Sequence, residues 1–421
     1  MIKEKLYSLS NNDYVFNLIN KIYAVLIGLF SSAFITRYLG VQLKGNYAYI
    51  MQIIQITALI LNLGVYQSYS YFYKKNNGKD MFEKYINIFK FQFLIYVTIS
   101  GFSIFFHRSI LVFLVELSIA FEIAKLEFEN VMLVENIRLK IKVHMLSSAL
   151  MLMFYIILFY LVRPSVVFPI VIIIIIDLVT LFIYFKKMNV TVLINKLDIK
   201  FIKNVISFGY LPMITTLLVT LNYSVDILFL KHLSNSIDLG LYATAAGIVN
   251  YIWLIPDTFK DVLFSRVARN NDLKPVVLSV KISILVVMTI IVVFAIFGKF
   301  AIAMLYGKDF IGSYFVTIIL LFGAFSMTFF KIFGVVFLAE GRRYFYFFSL
   351  LVSVIVNCLL NYYMIPKYGM YGSAFASVAS YTICGVSFLI YFSKIKSVSI
   401  RDLILLNRYE YKTLINVMKN N

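Results

Sequence analysis

The sequence predicts an all-α integral membrane protein with about 12 transmembrane helices, arranged as two parallel six-helix lobes around a central cavity. Three observations predict it. First, 62% of the 421 residues are hydrophobic and only 14% are charged, more apolar surface than a soluble core can hide. Second, the apolar residues fall in stretches of about 20, each long enough to cross about 30 Å of hydrocarbon at about 1.5 Å per residue. Third, the two halves of the chain echo one another. Barrel strands are excluded, because they would be short and of alternating polarity, whereas Ile172 to Ile176 is an unbroken apolar run.

The spans expected are 15 to 36, 46 to 72, 86 to 106, 109 to 129, 143 to 162, 165 to 185, 207 to 230, 240 to 256, 276 to 297, 311 to 338, 345 to 365 and 371 to 392. The first is a retained helix rather than a signal peptide, since Lys21 interrupts the approach and Arg37 closes the run without a clean cleavage pattern. The fourth carries Glu116, Glu122, Lys125, Glu127 and Glu129, so it is expected to leave the bilayer near Lys125. Residues 1–195 form the first lobe, 196–393 the second, and 394–421 an amphipathic tail with Ile400, Leu403, Ile404 and Leu406 on its apolar side. Connectors on both faces are short, leaving no room for a soluble domain.

The net charge of +19 follows topology. With alternating sides, basic residues crowd the face that holds both termini: Lys74, Lys75, Lys79 and Lys84, then Arg138, Lys140 and Lys142, then Lys186, Lys187, Lys196, Lys200 and Lys203, then the tail. That face is cytoplasmic by the positive-inside bias, and attraction to anionic lipid accounts for the charge without nucleic acid as a partner. No enzyme or metal signature is present. Cys358 and Cys384 sit in separate spans, His107, His144 and His232 lack ligand spacing, and no phosphate-binding glycine loop occurs. No cofactor is expected, and uphill transport would draw on H⁺ or Na⁺.

The repeat pairs Arg37-Tyr38-Leu39-Gly40 and Gly45-Asn46-Tyr47-Ala48 with Lys231-His232-Leu233-Ser234 and Gly240-Leu241-Tyr242-Ala243. It sets Gln55 opposite Asn250 and Asn62 opposite Asp257, and Glu135 and Arg138 resemble Glu340 and Arg342. Six spans being even, both lobes enter the membrane from the same side.

Polar stripes mark the faces toward a cavity. On the first span Asn17, Asn20, Lys21, Ala24, Gly28, Ser31 and Ser32 share an arc of about 120°. The second span carries Ala48, Gln52, Gln55, Asn62 and Tyr66, the seventh Pro212, Thr216, Thr220 and Tyr223 with Asp226 to one side, and the eighth Tyr242, Ala246, Asn250, Trp253 and Asp257. Small residues alone would serve helix packing. An ionisable group at depth, such as Lys21 or Asp226, costs at least about 2.5 kcal/mol without water or a partner, which favours a wet cavity.

At these residues, and in Asn62-Leu63-Gly64, Leu305-Tyr306-Gly307-Lys308-Asp309-Phe310, Ala339-Glu340-Gly341-Arg342 and Ile365-Pro366 through Ala374, the chain resembles the Wzx-type oligosaccharide flippases. These form the polysaccharide transporter branch of the multidrug/oligosaccharidyl-lipid/polysaccharide exporter superfamily. The resemblance implies alternating access by two six-helix bundles in the bacterial cytoplasmic membrane. The implied cargo is a polyprenyl-diphosphate-linked oligosaccharide, an O-antigen or capsule repeat unit, with polymerase and chain-length proteins of the same pathway as further partners. Val41-Gln42 stands where the family often has Gly-Pro.

A diphosphate crossing hydrocarbon needs cations to replace its water. Lys21 is the first candidate, Lys331 the second, with Arg37 and Lys231 as cations near the gate and Gln52, Gln55, Asn62 and Asn250 for sugar hydroxyls. Asp226, then Asp177, is the candidate for ion coupling. Packing readings stand beside these: Lys331 paired with a carboxylate, Arg37 and Lys231 reaching the interface, Asp226 paired with Lys231. Two other classes share the composition. A cation-coupled drug antiporter would use Asp226 or Asp177 for a free small cation, and a membrane polysaccharide polymerase usually carries a large outer loop that is absent here.

Overall fold

The computed structural model describes residues 13–76, 78, 80–191, 197–257 and 273–405, with the side chains of 13–22 and of His107 outside the description. Among these residues every regular element is helical. In chain order they are α1 (Asp13–Leu61), α2 (Val65–Lys75), α3 (Met81–His107), α4 (Ile110–Glu135), α5 (Ile137–Leu161), α6 (Val167–Lys187) and α7 (Ile199–Leu233). There follow α8 (Ser236–Ile252), α9 (Lys274–Leu305), a 3₁₀ turn (Lys308–Phe310), α10 (Ser313–Ala339), α11 (Arg343–Lys396) and α12 (Ile400–Ile404).

Nine of the described helices are long and apolar enough to cross a membrane. Two of them are each two helices joined at a residue with non-helical backbone: Gly40 in α1 (φ 66°, ψ 175°) and Gly369 in α11 (φ 55°, ψ −133°). Positive φ is accessible to glycine without a Cβ clash, so the chain changes direction there within one residue. Counting the halves separately and adding the charge-rich α4 gives the twelve spans expected from the sequence.

One expectation about an individual span is corrected. The second span does not run from 46 to 72: it stops at a turn over Asn62, Leu63 and Gly64, with φ of 57° at Leu63 and 78° at Gly64. The cause is tertiary. A Cβ on Gly64 would lie 2.4 Å from the carbonyl carbon of Gly209 in α7, and one on Gly209 would lie 1.9 Å from the Gly64 oxygen, so two backbones meet where only glycines fit. Helix α4 itself runs past Lys125 to Glu135, with Lys125 paired to Glu122 and to the buried Asp177.

The chain forms two compact units, Met1–Leu217 and Leu218–Asn421, so the division falls within α7. The boundary expected at 195/196 lies outside the described residues. Unit 1 packs Tyr69, Tyr85, Phe89 and Phe128 into an aromatic core joining α2, α3 and α4, with Tyr184 of α6 stacked on Phe128. In unit 2, α10 and α11 are zipped by Phe333 on Phe392 at 4.1 Å and by Phe330 and Phe337 on Phe388. Of the tail, α12 packs on α9 with Leu403 fully buried, and residues 406–421, including Leu406, lie outside the described residues.

Candidate functional site

Unit 1 holds two adjoining cavities, of about 320 and 390 Å³, that share His144, Ser148 and Met151 of α5. The larger is bounded by Ala24, Gly28, Ser31 and Ser32 of α1, four members of the predicted polar stripe. Helical spacing thus grouped on one face four residues that line a cavity inside unit 1, where the sequence expectation was the space between lobes. Lys21 lies one turn earlier in the same helix, and its side chain is outside the described residues.

Lys44 enters this cavity from the second half of α1, with its Nζ 5.6 Å from the ring centroid of Tyr47. No carboxylate pairs with it among the described residues. Among the described residues that ammonium meets the aromatic face of Tyr47 and no anion, which leaves it available to an anionic group entering the cavity. The sequence reading missed Lys44 because it sits beside the connector and off the stripe pattern.

The smaller cavity is lined by Gln55 of α1, Glu122, Lys125 and Glu129 of α4, Ser147 of α5, and Asp177 and Thr180 of α6. Lys125 binds Glu122 one turn back at 2.5 Å and Asp177 across the helix interface at 3.1 Å. Asp177 is 3% exposed and its second oxygen, Oδ2, has no hydrogen-bond partner. Ser147 and Thr180 bond each other at 2.7 Å on the same wall. Amide, hydroxyl and carboxylate groups beside the apolar faces of Met51, Met151, Ile173 and Ile176 can engage a polyhydroxylated ligand, hydrogen-bonding its edges while its CH faces rest on the aliphatic side. Gln55 and Asp177, predicted for different tasks, thus line one chamber.

Other predicted residues are placed elsewhere. Gln52 is buried and its Nε2 finds no partner. Asn62 is fully buried at the turn after α1, donating to Glu127 Oε1 at 2.9 Å. Arg37 is exposed, Lys231 half-buried in the last turn of α7, and both are engaged with neighbours. Asn250 is exposed.

In unit 2, Lys331 of α10 forms an ion pair with Asp257 at 2.6 Å, and its ammonium lies 4.8 Å from the Trp253 ring and 5.7 Å from that of Tyr223. The packing reading of Lys331 is the one its geometry matches. Lys125 and Lys331 occupy corresponding places, each on the fourth span of its unit and each neutralised by a carboxylate from another helix.

Asp226 is fully buried in α7. It accepts hydrogen bonds from Asn361 Nδ2 (2.7 Å) and from the hydroxyls of Tyr242 and Ser377 (2.8 Å each). Asn357 and Ser373 extend the network through Asn361, and Ser353 bonds Asn222. Every partner of Asp226 is neutral, so the ion pair with Lys231 does not form. A buried carboxylate whose charge is met only by neutral amide N–H and hydroxyl donors, with no cation beside it, can take up a proton.

No family model and no curated protein matches the sequence. Solved structures do. The lipid II flippase MurJ in an inward closed conformation superposes with a TM-score of 0.77 at 14% identity, over 92% of this chain and 89% of that one. An inward-facing multidrug resistance MATE family transporter of the MOP superfamily gives 0.62 at 14% identity over 89% and 95%. A MATE transporter from Vibrio cholerae gives 0.54 at 15% identity over 94% and 98%. Over nearly its whole length, the chain has the all-helical multi-pass fold of MurJ and of the MATE transporters.

Proposed function

We propose that the protein is a transporter of the multidrug/oligosaccharidyl-lipid/polysaccharide exporter superfamily that flips a polyprenyl-diphosphate-linked oligosaccharide from the inner to the outer leaflet of a bacterial cytoplasmic membrane by alternating access. The observation that carries this reading is the composite cavity of unit 1. Lys44, uncompensated by any described carboxylate, stands in one chamber, and the amide, hydroxyl and carboxylate groups around Gln55, Ser147 and Thr180 line the adjoining one. The first suits a diphosphate, the second sugar hydroxyls. Lys21 on the same stripe is a second cation for the phosphates, and Lys331, already paired with Asp257, is a lesser one. The polyprenyl chain needs no site, since it can stay in lipid. The likeness to a lipid II flippase is consistent with a lipid-linked cargo, and surface polysaccharide such as O-antigen or capsule is the product class this cargo serves.

Asp226 is assigned to coupling: it binds H⁺ or Na⁺ in one conformation and releases it in the other, with Asp177 the alternate.

A second reading, a cation-coupled drug antiporter, is supported by the likeness to MATE transporters and by the acid-rich chamber around Asp177. Proteoliposomes separate the two. Fluorescent polyprenyl-diphosphate oligosaccharide should become accessible in the opposite leaflet only with the protein present, and Lys44→Ala should cut that rate about tenfold, the equivalent of roughly 1.4 kcal/mol. Transport of an organic cation with no movement of the lipid-linked sugar would establish the antiporter instead.

A further inference from the structure

Glu127 of α4 is fully buried, and none of the units' ion pairs includes it among the described residues. Lys125 cannot serve it: residues two apart on a helix point to nearly opposite sides, and Lys125 is committed to Glu122 and Asp177. The one hydrogen bond Glu127 accepts comes from Asn62 Nδ2 to Oε1, at 2.9 Å, and Oε2 has no partner. Asn62 sits where α1 breaks. Its Oδ1 accepts from the Tyr66 amide at 3.3 Å at the start of α2, and its carbonyl accepts from Gln92 Nε2 of α3 at 3.4 Å. Gln92 Oε1 is likewise buried without a partner. On the two side chains that bond Asn62 across helices, the partnerless atoms, Glu127 Oε2 and Gln92 Oε1, are both acceptors, so what this pair lacks is a hydrogen-bond donor.

Helices α1, α2, α3, α5 and α6 pack on α4. Titratable groups on these helices have partners or places other than Glu127: Tyr96 of α3 donates to the Leu61 carbonyl at 2.6 Å, Tyr69 of α2 to Glu135, Lys140 of α5 pairs with Glu129, Asp177 of α6 with Lys125, and His144 of α5 lines the smaller cavity with Glu122, Lys125 and Glu129. Tyr66 of α2 and Tyr184 of α6 are neutral phenols, and among the described residues no ion pair joins Glu127 to α1. A bare carboxylate in such a place has one amide bond to offset the loss of its hydration. A carboxylic acid needs no counter-ion.

We propose that Glu127 is a proton-binding site of unit 1, separate from Asp226: Oε2 carries a proton in the packing seen here, Oε1 is the carbonyl that Asn62 holds, and the proton can leave only when α4 separates from the Asn62–Gly64 turn. Since that turn joins α1 to α2 and rests its glycine on Gly209 of α7, proton occupancy biases the joint between these helices.

Infrared spectroscopy of the purified full chain in lipid nanodiscs tests this without any substrate, so its outcome is independent of the transport assignment. At neutral pH the wild type should show a protonated-carboxyl C=O band that Glu127→Gln lacks and Asp226→Asn retains. Asn62→Leu, which preserves the carboxyl but removes its donor, should shift that band to higher frequency. Superimposable wild-type and Glu127→Gln spectra in this region would show an ionised Glu127 and overturn the proposal. Should Glu127→Gln fail to fold, an Asn62→Leu spectrum unchanged from wild type would do the same.

Discussion

Lys125 on α4 and Asp177 on α6 hold each other at 3.1 Å across the helix interface, with Glu122 as the lysine's second partner. The three charges are not equivalent. Removing the lysine strands two carboxylates beside hydrocarbon, whereas removing Asp177 leaves Lys125 with Glu122. Lys125→Met should therefore cost on the order of 3 kcal/mol and Asp177→Asn about 1 kcal/mol. Thermal unfolding in detergent should rank them in that order, and equal losses would mean the triad is not energetically connected.

Lys331 differs from Lys44 in having its charge met by Asp257 and by two aromatic faces. At matched abundance in a deletion strain, Lys331→Ala should retain more surface polysaccharide export than Lys44→Ala or Lys21→Ala, and Lys21→Arg should keep part of the function. The reverse order would move the phosphate site to unit 2.

Asp226→Asn preserves the size of a side chain bonded by Asn361, Tyr242 and Ser377 while abolishing its charge. The variant should insert and fold but lose its response to an imposed proton or sodium gradient in reconstituted vesicles. Undiminished gradient dependence would remove Asp226 from coupling and turn attention to Asp177.

Gly209→Ala adds a methyl that would lie 1.9 Å from the Gly64 oxygen. Because backbone rather than a flexible side chain must yield, the cost should exceed the usual 1–3 kcal/mol or so of overpacking, read as a large drop in unfolding temperature. Gly247→Ala, where nothing lies within 4 Å, is the matched control.

Reporter fusions should place Lys75 and Lys196 in the cytoplasm and Gly307 outside, following the side on which Lys and Arg collect. An inverted pattern would refute parallel lobes entering from the cytoplasm.

Length and hydropathy made the spans legible, and the 3.6-residue period made Ala24, Gly28, Ser31 and Ser32 legible as a cavity wall. What local pattern could not show was the consequence of partners distant in sequence. The pairing of Lys125 with Asp177 joins two helices that the sequence keeps far apart, and Asn62-Leu63-Gly64 looks like the interior of a span until Gly209 is pressed against it. Glu127 was hidden among five other charges of the same helix, and its full burial without an ion pair sets it apart. Lys331 was readable as a buried cation, but its partner, Asp257, lies on α8's side of a long intervening helix.

The joints at Gly40 and Gly369 limit what these helices can do mechanically. A single residue reaches no farther than about 3.6 Å, less than the roughly 5.4 Å needed for one helix to ratchet past another by a full turn. The two halves of α1, and likewise the two halves of α11, therefore lack the slack to slide independently. Each pair moves as a hinged couple, so one limb can tilt about the glycine that ties it to the other but cannot slide past it by a full turn.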